Sequence, residues 1–144
     1  MKQTDTKSNV AQNLVEIPFL LLFGGVVYYC IELGFRARSH WTMALCGALC
    51  FLAIYKINER LSHRSVFFCA LLGAAMITAL ELILGYILNI RLGWHVWDYS
   101  DLPLHLAGQI CPEFSLIWFL LCIPVSAISR TMQKSVFYHD AEKN

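Results

Sequence analysis

Four long apolar runs divide the chain, at about residues 14–33, 41–57, 66–90 and 112–129, with short polar stretches between the first three. A helix rises about 1.5 Å per residue, so about 20 apolar residues cross a hydrocarbon core of about 30 Å. The pattern predicts four transmembrane helices. The second run is the shortest and spans with little tilt. Pro18 falls in the first turn of the first run, where a missing N–H costs little. No small-residue cleavage site follows that run, which marks an uncleaved span and not a signal peptide. Pro112 opens the fourth run at a position suited to a helix start.

The one long connection covers residues 91–111. Asp101 ahead of Leu102-Pro103 is placed to cap a short helix there, while Gly108 and Pro112 argue against an unbroken one. The expected fold is an all-α integral membrane protein, a four-transmembrane-helix bundle with a short outer-leaflet helix or re-entrant loop before the last span. Polar tails flank the bundle at 1–12 and 131–144.

Composition agrees with the pattern. The chain is 58% hydrophobic and only 15% charged, too little polar surface to keep 144 residues dissolved as a soluble domain. A net charge of +1 gives no basic patch for nucleic acid. Lys and Arg collect on one side, in the N-terminal tail (Lys2, Lys7), the second connection (Lys56, Arg60, Arg64) and the C-terminal tail (Arg130, Lys134, Lys143). The other side has Arg36, Arg38 and Arg91. Cytoplasmic segments carry the excess of Lys and Arg, so both termini are expected in the cytoplasm, with the lipid bilayer as the first partner. Trp41, Trp94, Trp97 and Tyr99 then gather at the outer interface, where amphipathic rings prefer to sit.

Six cysteines lack structural-zinc spacing, and most sit in apolar runs, where a thiol packs as a small hydrophobe. Neither a metal nor a cofactor is predicted. A disulfide between Cys30 and Cys111, near the same membrane face, stays open.

Polar residues inside or beside the spans carry the candidate chemistry. A carboxylate in hydrocarbon costs several kcal/mol unless paired, solvated or protonated. Glu81 is the deepest, roughly 14 Å from the outer end of the third span at helical rise. Gly73, Ile77, Glu81, Gly85 and Asn89 recur every four residues on one face, with Ala70, Ala74 and Thr78 alongside. Such small-residue faces turn toward other helices, so Glu81 is expected inside the bundle. Glu32, Glu81, Asn89, Arg91, Trp97, Asp98, His105 and Gln109 form the candidate substrate-binding or pathway set in the outer half. The inner half is expected to hold almost no ionisable groups. Plainer readings stand beside this one. Solvation or ion pairing at an interface accounts for Glu32, Arg36, Arg91 and Asp98, and a wet loop accounts for His95 and His105. Trp94 and Trp97 fit a membrane belt.

From Glu81 the sequence reads ELILGYILNIRLGWHVWDYSDLPLHLAGQICPEFSLIWFLL. This resembles the ABC-transporter type IV family, the CmpB-like small membrane permeases. Glu81, Gly85, Asn89, Trp97-Asp98-Tyr99-Ser100, Gly108-Gln109-Ile110-Cys111, Ser115 and Trp118 match its pattern. So does YYCIELGFRARSHWTMALCG at 28–47. His105 stands where the family pattern has Asn, and Pro112-Glu113 replaces an apolar residue and its neighbour. The resemblance implies a transporter or permease-like subunit of a bacterial cell membrane, with a separate ATPase. Four spans enclose little room, so a pathway is expected to need a homo-oligomer or other membrane subunits. No G-x-x-x-x-G-K-[ST] loop occurs in these residues. A non-catalytic assembly or regulatory protein is the second reading. The third is a small membrane enzyme acting on a lipid or lipid-linked headgroup, with a carboxylate as base and a histidine as acid.

Overall fold

The computed structural model describes residues 2–137, with side chains described over 14–135. Helix α1 spans Lys2–Arg36, α2 Trp41–Arg60, α3 Val66–Gly85 and α4 Pro112–Met132. A π-helical turn, Tyr86–Arg91, extends α3, and another, Gln133–Phe137, extends α4. All four α-helices are long and apolar enough to cross a membrane, over Leu14–Arg36, Trp41–Arg60, Val66–Arg91 and Pro112–Ser135. The protein is a multi-pass, all-helical membrane protein, as its apolar runs require. The tail expected from 131 is described only to 137, and its remainder, Lys143 included, lies outside the described residues. The side chains of Lys2 and Lys7 also lie outside them.

Local sequence sets the helix starts. Ser65 Oγ accepts from Phe68 N at 3.2 Å and closes the first turn of α3. Pro112 occupies the opening position of α4, and Glu113 places a negative charge in its first turn. Pro18 departs from expectation. Helix α1 already begins at Lys2, so this proline is interior and removes one helical hydrogen bond.

Helix α1 packs along α2, and α3 along α4, while α2 also touches α3 and α4. A Cβ at Gly24 or Gly47 would overlap Phe51 or Tyr28, so α1 and α2 approach at their glycines. Leu20, Phe51 and Tyr55 form one buried cluster, and Ile54, Ala70 and Cys122 form another. Helices α1 and α4 scarcely meet. One link is a ring contact between Tyr28 and Trp118, with centroids 6.2 Å apart, and Val125 and Met132 of α4 pack against the Leu20 cluster.

The half away from the long loop is not inert, contrary to the sequence expectation. Arg130 Nε donates to Asn58 Oδ1 at 2.9 Å, and its other nitrogen donates to the Arg64 carbonyl at 2.8 Å. Asn58 also donates to Ser126 Oγ, and Gln133 to the Tyr55 carbonyl. Buried Glu16 lies 3.8 Å from Lys56, which pairs with Glu59 at 2.9 Å. Arg130 turns inward because Asn58, uncharged and easily passed over, supplies a buried acceptor, and Lys56 does so toward Glu16.

Candidate functional site

Glu81 is 4% exposed and projects from α3 into the bundle. Trp118 Nε1, on α4, donates to its Oε2 at 2.7 Å, and Tyr99 Oη, from the loop, donates to Oε1 at 3.1 Å. Tyr99 stacks on Phe114, with centroids 4.4 Å apart, which fixes the phenol over the carboxyl group. Burial, and then the neighbouring Glu81 charge, push the Tyr99 phenol well above its usual range, so it remains a donor. Among the described residues no Lys, Arg or His lies within ion-pair distance of Glu81.

The Glu81 face continues through the π turn. At 3.6 residues per turn an α-helix would carry Asn89 about 80° round from Glu81. A π turn advances less per residue and keeps Asn89 on the buried side. There Asn89 Nδ2 donates to the Trp97 carbonyl at 2.9 Å and to Gln109 Oε1 at 2.7 Å. Its Oδ1 accepts from Val96 N at 2.7 Å. Gly85 makes room for this pairing, because a Cβ there would lie 2.9 Å from Gln109 Cβ and overlap the amide.

Residues 92–111 are a loop of turns, with one isolated antiparallel bridge, Leu106–Ile110. The helix that Asp101 could have capped does not form. Positive φ at Leu104 and Ala107 is incompatible with one. Trp97 Nε1 donates to the Gln109 carbonyl at 3.1 Å, and Tyr99 N to the Gly108 carbonyl at 2.8 Å. Gln109 Nε2 returns to the Ala107 carbonyl at 3.0 Å. Asp98 accepts from Ser100 N at 2.9 Å, and the Ser100 hydroxyl and N–H hold its carboxyl below the usual carboxylate range. Gly108 has φ +69°, and a Cβ there would stand 2.6 Å from Asp98 Oδ1. His105 Nδ1 accepts from Gly108 N at 3.0 Å.

The sequence-derived set therefore divides. Glu81, Asn89, Trp97 and Gln109 are buried together at the base of the loop, beside half-buried Tyr99. Asp98 and His105 are exposed and shape the loop from outside. Arg91 is exposed beyond the network. Glu32, near the far end of α1, is bonded by Arg36 at 3.1 Å and by Ser39 Oγ. Trp97 is not a belt residue, being 3% exposed, whereas Trp94 joins Trp41 and His40 in an exposed aromatic group. Cys30 and Cys111 are free thiols. No three His, Cys, Asp or Glu side chains converge on a metal-sized site among the described residues.

Sequence reasoning passed over Tyr99 and Trp118 as site residues. A tryptophan well inside a span, away from the interface, was the available signal, since a buried indole N–H needs an acceptor. It also passed over a cavity of about 150 Å³ below Glu81, walled by Tyr28, Cys46, Cys50, Trp97 and Trp118 among others. Glu81 is the one carboxylate on that wall, which carries no Lys, Arg or His.

A helical membrane bundle with a buried carboxylate, capped by a cross-bonded loop and open to an apolar cavity, defines the class. Within that class, the chain belongs to the family described as "Putative ABC-transporter type IV", which it matches over residues 2–142. No curated protein and no solved structure matches the chain.

Proposed function

We propose that the protein is a permease-like subunit of a membrane transporter, with its binding site at Glu81 beneath the 92–111 loop. The burial of Glu81 at the head of a cavity, bonded only to neutral donors, carries this reading. A purely structural hydrogen bond needs no carboxylate, and Ser or Asn would cost less in hydrocarbon. Asn89, Trp97 and Gln109 hold the loop over the site, and Asp98 and His105 shape its outer surface. Glu32 and Arg36 stand at the same end of the bundle, and Arg36 lies within electrostatic reach of Tyr99. Arg91 marks the loop's entrance.

In this reading the loop faces outward from a bacterial cytoplasmic membrane, and both termini face the cytoplasm. Four spans enclose little room, so the subunit works as a homo-oligomer or with other membrane subunits. A separate ATPase supplies any ATP hydrolysis. Family membership supports association with transporter subunits.

The test is Glu81→Gln in proteoliposomes. Flux is lost while the variant still inserts and elutes as the parent does. Undiminished flux removes Glu81 from the mechanism.

A further inference from the structure

The cavity below Glu81 has a mouth. Val27 and Ile31 of α1 and Leu121 and Ile128 of α4 all line it, and each is 37–47% exposed. They stand where α1 and α4 fail to pack, so the opening lies between two membrane-spanning helices and faces acyl chains. The back wall is α2, with Cys46, Cys50 and Ile54. The lining is thus apolar from mouth to floor, except at Glu81.

At that point the chemistry changes. Each Glu81 oxygen accepts one neutral hydrogen bond, from Tyr99 and Trp118, and a carboxylate has about four lone-pair positions. Acceptor capacity therefore remains beside the cavity. Tyr28, Trp97 and Trp118 line the same space, and aromatic rings attract organic cations. A desolvated carboxylate with no basic partner gains most from a ligand that brings the missing positive charge. A cavity of about 150 Å³ with apolar walls holds one benzene-sized group.

Resting on the permease reading for its biological sense, we propose that this cavity binds a lipophilic organic cation. The ligand is an ammonium carrying a ring-sized apolar group. It enters from the bilayer between α1 and α4, seats its apolar group on Cys46, Cys50 and Ile54, and pairs its charge with Glu81. A neutral apolar molecule fits the walls but leaves the carboxylate unmatched.

Equilibrium dialysis of radiolabelled phenethylammonium against the full chain in lipid nanodiscs, with empty nanodiscs as blank, tests this directly. Saturable binding is expected, with the neutral isostere propylbenzene a weaker competitor. Glu81→Gln weakens binding by about ten-fold or more, as loss of a charge-assisted hydrogen bond in a buried site does. Leu121→Trp, which narrows the mouth without touching Glu81, also weakens binding while its elution profile matches the parent. Three results overturn the proposal: no saturable binding by the parent, equal competition by propylbenzene, or unchanged affinity in Glu81→Gln. Unchanged binding in a well-assembled Leu121→Trp protein overturns the lateral entrance. The permease reading fails separately. Binding without Glu81-dependent flux sinks that reading alone, and Glu81-dependent flux without ammonium binding sinks only the ligand class.

Discussion

Trp118 Nε1 meets Glu81 Oε2 at 2.7 Å across the α3–α4 contact, joining residues 37 positions apart in the chain. The bond places a neutral donor where a salt bridge would ordinarily be sought. It orients the carboxyl group while leaving its charge unmatched, which suits a site that is completed by its ligand.

Trp118→Phe keeps the ring and removes the N–H. Glu81 Oε2 then loses its partner inside the bundle, at a cost of about 1–3 kcal/mol. A lower unfolding temperature of the purified protein in detergent checks the effect. Restoring full stability with Trp118→Phe/Glu81→Leu, which removes both partners, would show that the loss came from the stranded carboxyl group.

Gly85→Ala tests the close approach of the π turn to the loop. The added methyl pushes Gln109 off Asn89, an overpacking cost of about 1–3 kcal/mol. The 92–111 loop is expected to be cut faster by a soluble protease. Cleavage at the parent rate would show that Gln109 can move aside.

His105 holds its turn through a ring nitrogen, a role that Asn at the same position would also fill. The turn needs an acceptor for Gly108 N, which ring Nδ1 supplies and an amide oxygen would also supply. His105→Asn should leave loop protection unchanged, whereas His105→Leu should speed amide exchange at Gly108. Equal exchange in both variants would deny the bond any role.

Asp98 is expected to give the loop an acid response. Its folded pKa lies below the usual value, chiefly through Ser100, with His95 and His105 adding to the shift. A depressed carboxyl pKa stabilises above the unfolded value of about 3.9 and is lost as pH falls through the folded value. The loop should keep its protease resistance through mild acid and lose it below about pH 4, while Asp98→Asn should flatten that acid limb. An identical acid limb in Asp98→Asn would assign the loss elsewhere.

Arg130 locks the opposite end through a fork to Asn58 and the Arg64 carbonyl. Lysine keeps the charge but cannot reproduce that geometry. Arg130→Lys should destabilise the bundle by about 1–3 kcal/mol, read by thermal unfolding, with Glu81-dependent ligand binding retained. Loss of binding at full stability would couple the two ends.

Much of this was determined by the sequence alone. The four spans follow from run length, because a bilayer of fixed thickness admits few alternatives. The inward turn of Glu81 follows from its cost in lipid and from the glycine row it shares with Gly73 and Gly85. The resemblance drew out Trp97, Asp98, Gly108 and Gln109, which all bond within one loop. Other features were decided only by the tertiary structure. Trp94 and Trp97 differ by three positions and look alike in sequence, yet one is exposed and the other donates to Gln109. The π turn that brings Asn89 under the loop leaves no local signature. The gap between α1 and α4, the Arg130 lock and the donors to Glu81 depend on which helices meet. Apolarity and period are local properties of a chain, whereas a hydrogen-bond partner or a cavity exists only once distant segments have packed.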